Sequence, residues 1–305
     1  MEKGDQTEVK RGRRSRGSRL GRAAILLLFA YSLLSVLLSS MLLAPPPRPP
    51  GSGAAQGHEP ALFPKTWLDL SGGLRIPVWV AEPSVEPKGC VLLFHGLGGR
   101  HPEGRMKFVQ SLGYVALAPD FRAHGEASGD RSGFGYREQA EVRATLALAR
   151  RRWPDLPMAA WGFSLGAVAI LFAADETAGL DGVILEAPYS SLERAFRNRF
   201  EHHLPGWLYP LTYGPVLAAE IRSGLWLDQI QPLRELPRFR ADRVLLVQGE
   251  RDWRVQKDEF EAFRKALPGV SALTLPGVGH QDWFWSAGEP YRQEIRRRLA
   301  GWLRR

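Results

Sequence analysis

Met158-Ala159-Ala160-Trp161-Gly162-Phe163-Ser164-Leu165-Gly166, followed by Ala167-Val168-Ala169-Ile170-Leu171-Phe172-Ala173-Ala174, is the stretch that decides the fold. Its first four residues read as a buried strand and its last eight as a buried helix. Between them lies the one G-x-S-x-G of the chain. A sharp strand-to-helix turn exposes the serine hydroxyl, and glycines on either side avoid side-chain clashes. Five residues alone are weak evidence; the strand before them and the helix after them give them weight.

A serine hydroxyl is a poor nucleophile until a neighbouring base takes its proton, so a histidine and an orienting carboxylate should follow Ser164. Both do. Gly249-Glu250-Arg251-Asp252-Trp253-Arg254-Val255 comes directly after the apolar run Val244 to Gly249. That puts Asp252 in a loop at a strand's carboxyl end. Gly277-Val278-Gly279-His280 follows the run Ser271 to Leu275 and puts His280 in another such loop. Glu250, Asp258 and Asp282 compete for the role of acid, and Asp252 fits the loop position best. Upstream, Phe94-His95-Gly96-Leu97-Gly98-Gly99 supplies a glycine-rich loop after a strand, so the backbone N–H groups of Leu97 and Leu165 are the candidate oxyanion donors.

Farther out, short apolar runs alternate with helical patterns. Strands are expected at Pro77 to Ala81, Cys90 to His95, Tyr114 to Ala118, Met158 to Gly162, Gly182 to Leu185, Val244 to Gly249 and Ser271 to Leu275. Helices are expected near residues 103–112, 135–152, 165–175, 256–267 and 289–303. Repeated βαβ units imply a mostly parallel central sheet flanked by helices, with the strands' carboxyl ends gathering the site on one edge. The stretch from Ser190 to Arg240 is aromatic-rich, has no clear strand and reads as an inserted lid over those ends.

The HG-L-GG loop, the segment Asp120-Phe121-Arg122-Ala123-His124-Gly125, the GFSLG elbow, the G-x-x-D loop and the final GH resemble the α/β-hydrolase superfamily. The likeness is nearest to its monoacylglycerol-lipase-like and serine-aminopeptidase-like branch, and it covers residues 65–305 in order. It implies an α/β-hydrolase fold and a Ser164–His280–Asp252 triad that works without metal or organic cofactor. Ala123 departs from the glycine frequent in that branch, which touches loop shape and not the chemistry.

The N-terminal part differs from the rest. Residues 1–22 carry eight Lys/Arg against three acids and supply +5 of the formal net charge of +9, and they read as a basic disordered tail. Residues 23–44 hold no charge and span about 33 Å as a helix, enough for a hydrocarbon core of about 30 Å. A transmembrane helix is therefore expected there. Basic residues on its N-terminal side place the N-terminus in the cytosol and the catalytic part in the lumen or periplasm. Secretion after signal-peptide cleavage is the alternative, though a signal's apolar region is usually shorter. Residues 45–60, rich in proline and glycine, read as a spacer, and 61–305 as the hydrolase domain with a lid insertion at about 190–240.

The charge left on the folded part is modest and no nucleic-acid motif accompanies it, so a nucleic-acid partner is not expected. Cys90 is the single cysteine, which excludes an intrachain disulfide and a CxxC metal site; it reads as a buried strand residue. His95 and His124 lack a third ligand at metal-like spacing and read as structural. His202 and His203 read as solvated lid residues. The lid aromatics Phe196, Phe200, Trp207, Tyr209, Tyr213 and Trp226 fit an acyl pocket or simple packing equally well. Arg296, Arg297, Arg298, Arg304 and Arg305 read as a solvated helix face. The expected activity is hydrolysis of carboxylic esters or thioesters, on a small-molecule or lipid acyl substrate, through an acyl-enzyme on Ser164. The alternatives are a peptidase or amidase of the same fold, and a non-catalytic binding protein that kept the fold.

Overall fold

The computed structural model describes residues 8–44, 63–281 and 283–304. Its helices are α1 (Glu8–Leu42), α2 (Glu103–Ser111), α3 (Gln139–Arg152), α4 (Leu165–Phe172), α5 (Ala174–Thr177), α6 (Leu192–His203), α7 (Tyr213–Ser223), α8 (Lys257–Ala266), α9 (Trp283–Ser286) and α10 (Gly288–Trp302). Its strands are β1 (Lys65–Asp69), β2 (Arg75–Ala81), β3 (Cys90–Phe94), β4 (Val115–Pro119), β5 (Met158–Phe163), β6 (Gly182–Glu186), β7 (Val244–Gly249) and β8 (Ser271–Leu275). By contact the chain divides into two units. One joins the chain up to Leu43 to Trp207–Leu225, and the other comprises Ala44–Gly206 and Trp226–Arg305.

The larger unit is built on one eight-stranded sheet of order β1-β2-β4-β3-β5-β6-β7-β8. From β4 through β3 to β8 every pairing is parallel, while β1–β2 and β2–β4 are antiparallel. This is the mostly parallel sheet expected from the βαβ rhythm. Strands β3, β4, β6 and β7 are buried at every position, which is why they read as unbroken apolar runs rather than alternating ones. Strand β1 was not expected. Lys65-Thr66-Trp67-Leu68-Asp69 lies at the sheet edge, half-buried to exposed, so it carries no apolar run to find.

Helix ends follow local chemistry. Ser191 caps α6 by accepting the Arg194 amide at 3.1 Å. At α8 the Gln256 amide donates to Glu259 Oε2 at 3.1 Å, one arm of a capping box. Helix α4 is apolar all round because seven of its residues, Leu165 to Leu171, are buried. Cys90 is a buried β3 residue, and burial pushes its thiol up to about 12. On α10, Arg297 and Arg298 pair with Glu294, and Arg296 with Glu289.

In the smaller unit, α1 contains the 22-residue apolar stretch Gly21–Leu42, long enough to cross a bilayer by length and composition. It overlaps the expected 23–44 segment. The helix also runs back to Glu8, so residues 8–22 continue it rather than forming a disordered tail; this stretch holds no proline and many Arg, a strong helix former. Residues 1–7 and the spacer expected at 45–60 lie outside the described residues. The insertion expected at about 190–240 contains no strand but is not a single block. Helix α6 and the 3-10 turns at Leu227–Gln229 and Pro232–Arg238 belong to the sheet unit, whereas Trp207–Leu225 belongs with α1.

Candidate active site

The register across the sheet brings the carboxyl ends of five strands to one edge. Phe94 of β3 faces Gly162 of β5, Phe163 faces Glu186 of β6, Glu186 faces Val247 of β7, and Gly249 faces Leu275 of β8. The loops that follow these ends carry Leu97, Ser164, Asp252 and His280.

Ser164 sits between β5 and α4 with φ 51° and ψ −111°, a conformation that non-glycine residues rarely adopt. Its amide donates to the Glu186 carbonyl at 2.7 Å. Both flanking glycines are required by space. A Cβ on Gly162 would lie 2.6 Å from the Ala167 amide nitrogen, and one on Gly166 would lie 2.3 Å from the Phe94 carbonyl oxygen. The chain folds back on itself here so tightly that only glycine fits.

Asp252 is buried in the loop after β7. Its Oδ1 accepts the amides of Arg254 at 2.9 Å and Val255 at 3.0 Å, and its Oδ2 accepts from His280 Nδ1 at 2.7 Å. Because a carboxylate only accepts, that contact puts the proton on Nδ1 and leaves Nε2 as the acceptor. Nε2 lies 3.2 Å from Ser164 Oγ. Several contacts fix the base loop. The Arg251 amide donates to the Val278 carbonyl at 2.9 Å, Trp283 Nε1 donates to the Gly279 carbonyl at 2.6 Å, and the Phe163 ring stands 5.1 Å from the His280 ring. The rival acids are placed elsewhere: Glu250 accepts the Gly277 amide at 2.7 Å and Asp258 pairs with Arg194 at 2.6 Å. Asp282 lies outside the described residues.

The loop after β3 holds the first proposed donor. The amides of Leu97 and Leu165 donate to no other group among the described residues. Two buried side chains brace this loop. His95 Nδ1 donates to the Gly96 carbonyl at 2.8 Å, while Nε2 accepts the Phe121 amide at 3.0 Å. Burial, aided by the neighbouring His124, pushes His95 down to about 3, so it is a neutral structural group. Asp120 accepts the His101 amide at 2.8 Å, His101 Nδ1 at 2.9 Å and the Glu126 amide at 3.0 Å. Burial opposes the charge on Asp120, but the His101 contacts and the Glu126 amide outweigh it and hold the carboxyl down to about 2. Ala123, in the same segment, has φ 59°, which accounts for the glycine frequent there in the related branch. His124 is buried with Nδ1 2.7 Å from the Arg122 carbonyl oxygen. His202 and His203 are exposed, and His202 stacks on Trp253 with centroids 3.8 Å apart.

Two features were not legible in the sequence. One is a buried ion pair beneath the site: Arg105 Nη1 donates to Glu186 Oε2 at 2.6 Å, and the Tyr291 hydroxyl donates to Oε1 of the same carboxylate. The other is a cleft of about 320 Å³ lined by Gly96, Leu97, Arg100, Pro102, Trp161 and Phe163, among others. It adjoins the loop after β3 and Phe163, the residue before Ser164.

A family model described as serine aminopeptidase, S33, matches residues 85–214, a span that contains Leu97, Ser164 and Leu165 and ends before Asp252 and His280. The monoacylglycerol lipase of Mycolicibacterium smegmatis is 33% identical over 109 residues, 33% of this chain and 38% of that one. An esterase of Pyrococcus furiosus superposes with a TM-score of 0.68 at 20% identity, covering 86% of this chain and 98% of that chain. A bacterial membrane phospholipase A superposes with a TM-score of 0.55 at 20% identity, covering 96% and 98%. At such identities the structural likeness is one of fold. The chain spans less than two thirds of the length of the curated relatives it matches, 63% and 38%. With the sheet order and the strand-turn-helix at Ser164, these likenesses show that the chain has the α/β-hydrolase fold.

Proposed function

We propose that this protein is a serine hydrolase that cleaves carboxylic esters or thioesters through an acyl-enzyme on Ser164. The observation that carries the reading is the position of His280, whose two ring nitrogens lie 2.7 Å from Asp252 Oδ2 and 3.2 Å from Ser164 Oγ. In this mechanism Nε2 takes the hydroxyl proton as Oγ attacks the acyl carbon. Asp252 keeps the proton on Nδ1 and stabilises the imidazolium. The tetrahedral oxyanion accepts the amides of Leu97 and Leu165, and one such donor contributes on the order of 3 kcal/mol because it meets charge that develops only during reaction. His280 then returns the proton to the leaving alcohol or thiol, the acyl group stays on Ser164, and water activated by the same base releases the acid.

Likeness to an esterase, a monoacylglycerol lipase and a membrane phospholipase A supports acyl esters over amides, on small-molecule or lipid substrates. The apolar stretch Gly21–Leu42 is assigned as a membrane anchor. The basic residues before it favour a cytosolic N-terminus and a catalytic unit on the lumenal or periplasmic side. The insertion at about 190–240 takes the role of lid from its place in the chain between β6 and β7.

The test is labelling of the full-length, detergent-solubilised protein with a fluorophosphonate probe, wild type beside Ser164→Ala. Labelling that disappears in a variant with an unchanged circular dichroism spectrum is the expected result. Equal labelling of both proteins would remove Ser164 as the nucleophile, and a well-folded wild type that stays unlabelled would favour the non-catalytic reading.

A further inference from the structure

Between His203 and Glu220 the chain runs for sixteen residues without a charge: Leu204-Pro205-Gly206-Trp207-Leu208-Tyr209-Pro210-Leu211-Thr212-Tyr213-Gly214-Pro215-Val216-Leu217-Ala218-Ala219. Most of this run belongs to the unit formed with α1, and the contacts inside that unit are specific. Tyr31, Ser35 and Ser39 recur every fourth residue of α1 and so share one face of it. Ser35 and Ser39 are the buried residues among 21–44. Gly214 is packed against this face, for a Cβ there would lie 2.5 Å from Ser35 Oγ and 2.6 Å from the Tyr31 hydroxyl oxygen. That is close approach through small residues, the packing that helices use inside a membrane, where lipid supplies no hydrophobic drive.

The polar contacts along the seam have the same character. The 3-10 turn at Gly206–Thr212 leads into α7, and such a junction leaves backbone groups without helical partners. The Tyr31 hydroxyl serves two of them, donating to the Leu211 carbonyl at 3.2 Å and accepting the Gly214 amide at 3.0 Å. In hydrocarbon, irregular backbone is tolerated only where protein satisfies it in this way. At the other end of α7, Arg222 Nη1 donates to Ser39 Oγ at 2.6 Å, Ser40 Oγ at 2.8 Å and the Val36 carbonyl at 3.3 Å. From Gly214 to Arg222 and from Tyr31 to Ser39 the separation is the same, about 12 Å of helix rise, so the two helices run parallel and in step. Arg222 thus lies near the C-terminal end of the apolar span, where a guanidinium snorkels to the interface, and Gly214 lies near its middle.

Outside the seam with α1, α7 presents a stripe of large apolar side chains with one acid, Glu220, among them. Tyr213, Leu217 and Ile221, again every fourth residue, are 62%, 49% and 65% exposed, and Trp207 and Leu211 are 78% and 62% exposed. A stripe of exposed large apolar side chains, continuous with the bare apolar surface of a bilayer-length helix, has hydrocarbon as its matching surroundings.

We infer that the segment Trp207–Ile221 is a second membrane element, a re-entrant hairpin arm that enters the bilayer to about mid-depth and returns along the C-terminal half of α1, with lipid acyl chains covering its outer face. The inference rests on the assignment of Gly21–Leu42 as a membrane anchor, and the experiment separates the two.

Full-length protein carrying a nitroxide spin label at Leu217→Cys, or in a second preparation at Tyr213→Cys, is reconstituted into phosphatidylcholine vesicles. Its accessibility to oxygen, which partitions into lipid, is compared with that to a water-soluble nickel chelate. Cys90 is buried and does not compete for label. Leu27→Cys reports on the anchor, and Glu193→Cys, exposed on α6, reports on water. The expected result is an oxygen-to-nickel ratio at 217 and 213 several-fold above that at 193 and close to that at 27. A lipid-like value at 27 with water-like values at 217 and 213 would overturn the inference and leave the anchor standing, whereas water-like values at all positions would remove both. Shielding of 217 and 213 from both reagents would also overturn it, in favour of a protein surface, such as a second copy of this chain, on that face.

Discussion

Ser164 and Glu186 are tied together through backbone and, indirectly, through charge. The Ser164 amide donates to the Glu186 carbonyl at 2.7 Å, and the Glu186 carboxylate is locked at the same place by Arg105 at 2.6 Å and by the Tyr291 hydroxyl. Glu186 is fully buried and Arg105 nearly so, at 0% and 5% exposure. The strained turn at the nucleophile is therefore anchored on a strand end that cannot move without separating buried charges. Glu186→Ala should destabilise the protein by about 3–5 kcal/mol, because it removes the buried carboxylate that the Arg105 guanidinium faces at 2.6 Å and opens a cavity beside that charge. Urea unfolding followed by tryptophan fluorescence measures this, and a loss below about 1 kcal/mol would show that the pair does not hold the strand end.

Asp252→Asn keeps the shape of the side chain but replaces an oxygen that accepts from His280 Nδ1 with a group that either donates or turns away. The imidazole then loses both its fixed tautomer and the charge that stabilises its protonated form. A fall of about 10⁴-fold in kcat is expected, with the fold retained. Steady-state hydrolysis of a chromogenic ester beside wild type checks it, and near-normal turnover would move the acid to another residue.

At Gly166 the prediction is steric. A methyl group there would meet the Phe94 carbonyl oxygen at 2.3 Å and the His95 carbonyl oxygen at 2.8 Å. Both are backbone atoms at the entrance to the oxyanion loop, so relief of the clash displaces the loop that carries Leu97. Gly166→Ala should cost about 1–3 kcal/mol of stability and slow fluorophosphonate labelling of Ser164 by more than tenfold. A variant that labels at the wild-type rate would mean that the loop position does not govern the site.

His95 provides a test by pH. Its folded value is pushed down to about 3 by burial, aided by His124, whereas an unfolded histidine titrates near 6.5. The unfolded chain therefore binds a proton that the folded chain refuses between those values. The stabilisation is fully present above about pH 6.5 and is lost as pH falls toward 3, at up to about 1.4 kcal/mol per unit. Asp120, lowered from 3.8 to about 2, loses its own contribution only as pH falls through that range, below both pH 7 and pH 5. Comparing wild type with His95→Gln by denaturant unfolding at pH 7 and pH 5 should show the stability gap narrowing in acid. A gap that does not change with pH would refute the linkage.

Much of the sheet unit and of its candidate site was legible in the chain because the signals are local. Strands such as Cys90–Phe94 and Val244–Gly249 are buried on both faces, so their composition alone announces them. The turn at Ser164 is legible because two glycines and an apolar helix are needed within a few residues of the serine. Asp252 and His280 follow because each stands just past a strand end, and a parallel sheet brings such ends to one edge.

What the tertiary structure decided depends on residues far apart in sequence or on surfaces without a pattern. Strand β1 exists because Trp67 and Pro77 pair across the sheet edge, not because Lys65–Asp69 is apolar. Distance separates Glu250, Asp252 and Asp258: of these three, Asp252 accepts from His280, whereas Glu250 accepts the Gly277 amide and Asp258 pairs with Arg194. The Arg105–Glu186–Tyr291 cluster joins positions up to 186 residues apart, from α2 to the last helix, and nothing in the neighbourhood of any one of them marks the other two. Likewise nothing within the uncharged run ending at Ala219 marks α1 as its neighbour, which the contacts of Tyr31, Ser39 and Arg222 reveal. Sequence determined the strand-turn-helix at the nucleophile, because backbone propensity and local sterics act over a few residues. Tertiary structure decided which carboxylate meets His280, the buried ion pair and the partner of α7, because hydrogen bonds and close packing act through space and are indifferent to the length of chain between them.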